Sequence, residues 1–256
     1  MTRPAEDVLL VESLHRDGFN QSEIARLTGI NRRTLGDWIN HGRSPADVRN
    51  SGLQVLDPSH AAYCDLRMAV LSEPYAYLLG LYLGDGCISL MKRGVFLLRI
   101  ACCEAYPHLM DLCEEAIHAV MPRNKVFRTP AIGCTAVSCC SKHWLCLFPQ
   151  HGPGKKHERP IILEPWQQAI VDVEVKAFLR GLVHSDGSRY LNPVSPRGKS
   201  YSYPSYLFAN ASDDIRALFC DGCDALGVKR RQSKRDIFVT QRPSVALLDE
   251  FIGPKT

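Results

Sequence analysis

Two aspartates sit in nearly the same setting about 100 residues apart. Asp85 ends the stretch "YLLGLYLGDG" (77–86) and Asp186 ends "FLRGLVHSDG" (178–187), each closing a largely apolar run just before a glycine. Gly80 and Gly84 are four apart, on one face of a helix, and Gly181 and Ser185 repeat that spacing. Small residues so spaced let two helices pack backbone against backbone. If the two runs pair in this way, their ends meet and the two carboxylates come together. Neighbouring carboxylates repel and raise each other's pKa. A divalent cation removes that cost, and oxygen donors suit Mg²⁺, which keeps several waters and takes further ligands from phosphate. Cations clamped between carboxylates and a phosphodiester are the arrangement for in-line hydrolysis. Asp85 and Asp186 are therefore candidate metal ligands and catalytic groups.

The elements needed to place them recur with the same period. After each Asp-Gly come two strand-like runs, 87–92 with 95–102 and 188–191 with 201–210. A helix follows ("AYPHLMDLCEEAIHAV", "SDDIRALFCDGCDAL"), then a basic turn and strand ("MPRNKVFRT", "GVKRRQSKR"). A further strand and a short helix complete each copy, which closes on "GPGKK" or "GPK". Asp85 to Lys155 is 70 residues and Asp186 to Lys255 is 69. An order preserved over that length marks a tandem αββαββα repeat, with the first copy at 73–170 and the second at 171–256.

At these residues the chain resembles the LAGLIDADG homing endonucleases in their single-chain, two-repeat form. "LLGLYLGDG" and "LRGLVHSDG" stand where that family's name-giving motif stands. The resemblance implies an α+β fold of pseudo-symmetric repeats forming two saddle-like antiparallel sheets. It further implies a Mg²⁺-dependent, site-specific endonuclease that clasps double-stranded DNA as a monomer. A basic residue near the metal is part of the pattern, and Lys155 or Lys156, with Lys255, falls in the matching region. His184 departs from it, standing where an acid or apolar residue is common. Alternate strand residues would point to DNA. The candidates are Lys92, Arg93, Arg99, Arg128, Arg189, Arg197, Lys199, Tyr201, Tyr203, Lys234 and Arg235, with cations for phosphates and tyrosines for sugar or base.

The first 45 residues read differently, as three short helices of a small all-α helix-turn-helix domain. Thr28-Gly29 makes the tight turn, Ile30 plugs the core, and Leu35 and Trp38 anchor the third helix. Its exposed start, Asn31, Arg32, Arg33 and Thr34 with Asp37, carries groups able to contact phosphates or base edges. Acids balance the segment's basic residues, so it reads as an auxiliary anchor on DNA; a bundle that docks other proteins is the blander alternative. Residues 46–72, with Asp57-Pro58 and Ser51-Gly52, read as a linker with a short helix at 60–70.

Composition narrows the classes. A net charge of +4 over 256 residues permits an anionic partner without demanding one. Acids interrupt the only candidate signal sequence, and the longest apolar run, 74–84, falls short of the ~20 residues a membrane span needs. Eleven cysteines without a secretory signal fit reduced thiols in a cytoplasm, nucleoid-associated when the chain is on DNA. Neither the lone Cys220/Cys223 pair nor His143, Cys146, His151 and His157 has the spacing of a closed zinc site. No intein is expected, because "FIGPKT" stands where His-Asn would end one. Two other readings stay open: a non-cleaving transcriptional regulator on the same scaffold, and an RNA-splicing maturase.

Overall fold

The computed structural model describes residues 5–41, 71–194 and 201–253, and the chain divides into two compact units, Met1–Asp57 and Pro58–Thr256. The expected linker and its short helix lie almost wholly outside the described residues, as do Arg197, Lys199 and Lys255.

The first unit holds α1 (Ala5–Arg16), α2 (Gln21–Thr28) and α3 (Arg32–His41). Asn20 starts α2 through a capping box: its side-chain oxygen accepts the Ser22 and Glu23 amides at 3.0 and 3.1 Å, and Glu23 accepts the Asn20 amide at 2.8 Å. Gly29 ends the helix at φ 65°, a conformation that costs glycine little. Val11, Ile24, Ile30, Leu35 and Trp38 form the buried core. Leu27 lies outside it, 63 % exposed.

The second unit contains the repeat twice. The first copy runs α4 (Ser72–Asp85), β1 (Gly86–Leu90), β2 (Phe96–Cys103), α5 (Pro107–Val120), β3 (Val126–Ala131), β4 (Cys134–Ser141) and α6 (Trp144–Leu147). After α7 (Pro165–Val173), the second runs α8 (Val175–Asp186), β5 (Gly187–Val194), β6 (Tyr201–Ala209), α9 (Asp213–Ala225), β7 (Arg231–Ser233), β8 (Asp236–Val239) and α10 (Arg242–Asp249). Each copy makes one four-stranded antiparallel sheet, with matching orders β1-β2-β4-β3 and β5-β6-β8-β7. The fold is α+β, as the sequence implied.

The two motif helices, α4 and α8, form the seam between copies. Every residue of α4 from Tyr75 to Leu83 is buried, as an all-round apolar helix must be. Glycine sets the closeness of the seam. A Cβ on Gly80 would stand 2.5 Å from the Phe178 carbonyl oxygen and 2.7 Å from the Leu182 nitrogen, while one on Gly181 would overlap the Tyr77 carbonyl.

Helix α7 was not legible in the repeat pattern. It is tied in by Gln167, fully buried, whose Nε2 donates to the Tyr75 hydroxyl at 2.7 Å and whose Oε1 meets Gln150 Nε2. The Tyr75 hydroxyl in turn donates to the Leu147 carbonyl at 2.5 Å. A buried polar chain of this kind stabilises only when each member has a partner, and here it joins α4, α6 and α7. Among the described residues, no helix is long and apolar enough to cross a membrane.

Candidate active site

Asp85 and Asp186 are the last residues of α4 and α8, so the seam fixes where both carboxylates emerge. Gly84 lets Asp186 come against the end of α4: a Cβ there would lie 2.9 Å from Asp186 Oδ2 and would overlap Ser185. The carboxylate of one motif thus stands against the end of the other motif's helix.

Lys156, not Lys155, reaches this centre. Its ammonium donates to the carbonyls of Tyr82, Leu83 and Gly84 at 2.5, 2.8 and 2.7 Å, capping the carbonyl end of α4. That end carries partial negative charge, which a cation complements. Burial lowers the Lys156 pKa to about 8, while Asp186 and Asp85 pull it upward, so the group is still mostly protonated at neutral pH. Its ammonium also lies 5.2 Å from the centre of the Tyr82 ring. The Lys155 side chain is 74 % exposed and pairs with Glu158. Lys156→Met is expected to lower any metal-dependent cleavage by about 10²-fold or more, the scale of losing one preorganised cationic donor. Lys155→Met is expected to leave the rate unchanged, and single-turnover rates of the two variants check this.

The loop that carries Lys156 is shaped by Arg159, which donates to the Gln150, Pro153 and Gly154 carbonyls at 3.1, 3.5 and 2.9 Å. Loop and helix ends enclose a cleft of about 470 Å³ whose lining includes Lys156, Arg159, Asp186 and Asn210. Asp85 opens instead on a smaller cavity of about 70 Å³ beside Cys102 and Tyr106.

Asn210 is the site residue that sequence reading missed. Its Nδ2 donates to Asp186 Oδ2 at 2.5 Å, while its Oδ1 accepts the Ser212 amide at 2.7 Å and its carbonyl accepts Arg216 Nη1 at 2.5 Å. Held at both ends, it aims one amide at one carboxylate. The signal available was its place just past the strand that pairs with the residue after Asp186. Register shows the counterpart: Gly86 faces Ile100 and Gly187 faces Phe208, so Cys102 occupies in the first copy the place of Asn210 in the second. Cys102 instead shares a hydrogen bond with the Cys113 thiol, which lowers its own pKa and raises that of Cys113.

His184, the departure in the second motif, is buried. Nε2 donates to the Ile252 carbonyl at 2.8 Å, leaving Nδ1 to accept the Tyr77 hydroxyl at 2.9 Å. It ties α8 to α4 and to the segment after α10.

The strand candidates divide by face. Burial alternates along β2, with Phe96, Leu98, Ile100 and Cys102 turned to the helices and Arg99 outward. Arg99 Nη2 donates to Ser89 Oγ at 2.8 Å. Tyr201 and Tyr203 stack on one another, ring centres 6.3 Å apart, with the Arg242 guanidinium 4.8 Å from the Tyr203 ring centre. Lys92 and Arg93 lie on the turn between β1 and β2, and Lys234 and Arg235 on that between β7 and β8, all exposed.

Arg128 and Arg189 correct the expectation, because strand parity turns them to the helix-packed side. Arg128 binds Asp111 and Glu114 of α5 at 2.6 and 2.7 Å, and Arg189 binds Asp249 of α10 at 2.8 Å. Arg128→Ala is expected to leave DNA affinity unchanged, whereas Arg99→Ala is expected to reduce the salt slope of binding by about 1; titration at several salt concentrations separates them. In the first unit, Asn31 and Arg32 are exposed and Thr34 is half-buried at the start of α3, in which Arg33 and Asp37 also lie.

Among the described residues, no group of three or more His, Cys, Asp or Glu side chains is placed to hold a metal ion alone. The two aspartates offer hard oxygen donors, which suit a cation that completes its shell from phosphate and water.

No protein-family model matches the chain, and no curated protein matches it. Solved structures do. The homing endonuclease I-DmoI is 15 % identical over 72 % of this chain and 97 % of its own, with a TM-score of 0.47; in complex with DNA and Mn it scores 0.48 at 14 % identity. The LAGLIDADG meganuclease I-AabMI, bound to uncleaved DNA, is 13 % identical over 70 % of this chain and 82 % of its own, with a TM-score of 0.45. The neighbours of this chain among solved structures are LAGLIDADG homing endonucleases.

Proposed function

We propose that the chain is a site-specific DNA endonuclease that hydrolyses phosphodiesters with a divalent cation, Mg²⁺ by preference, at Asp85 and Asp186. The observation that carries this reading is the approach of Asp186 to the end of α4, with Lys156 close enough to both carboxylates for their charges to raise its pKa. A bound cation there supplies Lewis-acid stabilisation of phosphate charge and a more acidic water. The residues supply the rest. Asp85 and Asp186 hold the cation, and Asn210 fixes the rotamer of Asp186. Lys156 presents positive charge beside the same phosphate while neutralising the carbonyl end of α4. The outward sheet faces hold the duplex, and α1–α3 add contacts through the start of α3. Lys255 belongs to the same proposal as the second copy's counterpart of the Lys155-Lys156 pair. The repeat within one chain makes a monomer sufficient for a two-stranded target.

The test is cleavage of a randomised plasmid library by purified protein with Mg²⁺ or with Ca²⁺. Double-strand cuts at a defined sequence with Mg²⁺, lost in Asp85→Asn and Asp186→Asn, support the endonuclease. Tight, salt-sensitive binding without cuts in either metal overturns it in favour of a DNA-binding regulator.

A further inference from the structure

Ten cysteines are free among the described residues, and one pair of them stands directly opposite across two strands: Cys103 of β2 and Cys134 of β4. The alternation of hydrogen-bonded and open pairs along an antiparallel ladder fixes how close they come. The Met91 amide donates to the Val95 carbonyl at 2.7 Å, which marks a hydrogen-bonded pair. Ser89–Leu97 and Cys87–Arg99 repeat it two residues on each time. Odd-numbered residues of β2 therefore turn their main-chain groups toward β1, and even-numbered ones toward β4. The Cys103 carbonyl agrees, since it accepts the Tyr106 amide at 3.1 Å. Cys103–Cys134 is thus an open pair, the class in which opposing Cα atoms stand about 4.5 Å apart and side chains come closest. A disulfide joins Cα atoms about 4.4–6.8 Å apart.

Both thiols are also within reach of solution. Burial alternates along β2 with Cys102 turned to the helices, so Cys103 stands exposed on the opposite face, and Cys134 beside it is half-buried. Cys103 also borders the cavity on which Asp85 opens. The neighbouring thiols differ. Cys102 and Cys113 hydrogen-bond to each other, but both are buried, where an oxidant in solution does not reach them.

We infer that Cys103 and Cys134 are a reversible modification site, oxidised to a cross-strand disulfide by a small-molecule disulfide of the glutathione class. The Cys103 thiolate attacks one sulfur of oxidised glutathione, whose S–S bond breaks and releases a glutathione thiolate. The Cys134 thiolate then attacks the Cys103 sulfur of the mixed disulfide and releases the second glutathione. The two protein thiols lose two electrons and two protons, and one oxidised glutathione becomes two reduced ones. The product joins the two central strands of the first sheet and closes the segment 104–133, which holds α5 and β3. It adds no charge. A glutathione left on Cys103 would instead set net negative charge on the sheet face that the proposed function turns to DNA. Cys134 is therefore the resolving thiol that keeps this face clear, a role that rests on the DNA-binding reading as the disulfide itself does not.

The experiment treats the full chain with oxidised glutathione and maps its peptides without reduction. A Cys103–Cys134 cross-link is expected in most molecules, reversed by dithiothreitol, with a melting temperature higher by about 5 °C or more. Cys134→Ser is expected to carry one glutathione on Cys103 and to show no such rise. Cys103→Ser is expected to show neither. Reduced, both variants are expected to melt within about 2 °C of the wild type, since neither thiol belongs to the core. A cross-link at Cys102–Cys113 in place of this one, or no cross-link at all, overturns the inference. Binding to a duplex selected from a random library, in Ca²⁺, tests the resolving role. After treatment the wild type is expected to keep its affinity, and Cys134→Ser to lose about tenfold or more at low salt. Equal affinity of the two treated proteins overturns that role and leaves the disulfide standing. Failure of the untreated wild type to bind any duplex removes the proposed function, and the resolving role with it, but not the disulfide.

Discussion

Asp85→Asn and Asp186→Asn are each expected to lower Mg²⁺-dependent cleavage by at least about 10³-fold, roughly 4 kcal/mol of barrier, while DNA binding persists. The two carboxylates end adjoining helices, and no third acidic or imidazole ligand is placed to replace either among the described residues. An amide keeps the shape but is a neutral and weaker ligand for a hard cation. Stability moves the other way. Removing one of two like charges relieves repulsion, so the melting temperature in metal-free buffer is expected to hold or rise. Adding Mg²⁺ is expected to raise the melting temperature of the wild type and to do so less in either variant. Thermal melts with and without metal therefore separate loss of a ligand from loss of the fold. A variant that melts early in metal-free buffer would assign the aspartates a structural role instead.

Gly181→Ala is expected to destabilise the second unit by more than about 3 kcal/mol, the upper end of overpacking costs. In a solvent-exposed helix the same change usually stabilises, by up to about 1 kcal/mol. Here the sign reverses because the new methyl meets main chain: the Tyr77 carbonyl, with Gly80 Cα and Leu81 N each at 3.0 Å. Backbone within a packed helix pair cannot rotate aside. A loss of 3 kcal/mol corresponds to a melting-point fall of about 6–12 °C for a unit of this size. Gly222→Ala is the control. The three atoms nearest its methyl would all belong to the Leu179 side chain, the closest at 2.9 Å, rather than to main chain. That variant is expected to lose about 1–2 kcal/mol, clearly less than Gly181→Ala, because a side chain yields more readily than main chain. Equal melting of the two variants would show that the seam yields, and that its glycines are not what sets it.

The seam and the repeat were legible because both are local patterns with a period. Small residues four apart mark a face, and a conserved order of helices and strands marks a duplication without any knowledge of contacts. What was not legible required registers across the sheet. Whether Arg128 points to DNA or to α5 turns on strand parity, and a one-residue slip sends every side chain to the opposite face. Asn210 was invisible for a related reason: it becomes a site residue only once β6 is paired with β5 and its end is placed over Asp186. Lys155 and Lys156 could not be told apart by spacing, since only the turn organised by Arg159 decides which ammonium faces inward. Helix α7 escaped because it lies between the two copies and its one fully buried side chain is the polar Gln167.

The glycine seam also separates what can vary from what cannot. Where Gly80 and Gly181 touch, the spacing of α4 and α8 is a property of main chain, unaffected by side-chain exchange on the strands. Strand faces can therefore drift toward new sequences, residue by residue, without moving the carboxylates by an ångström. The chain joins one fixed seam to two sheets whose outer faces are free to change.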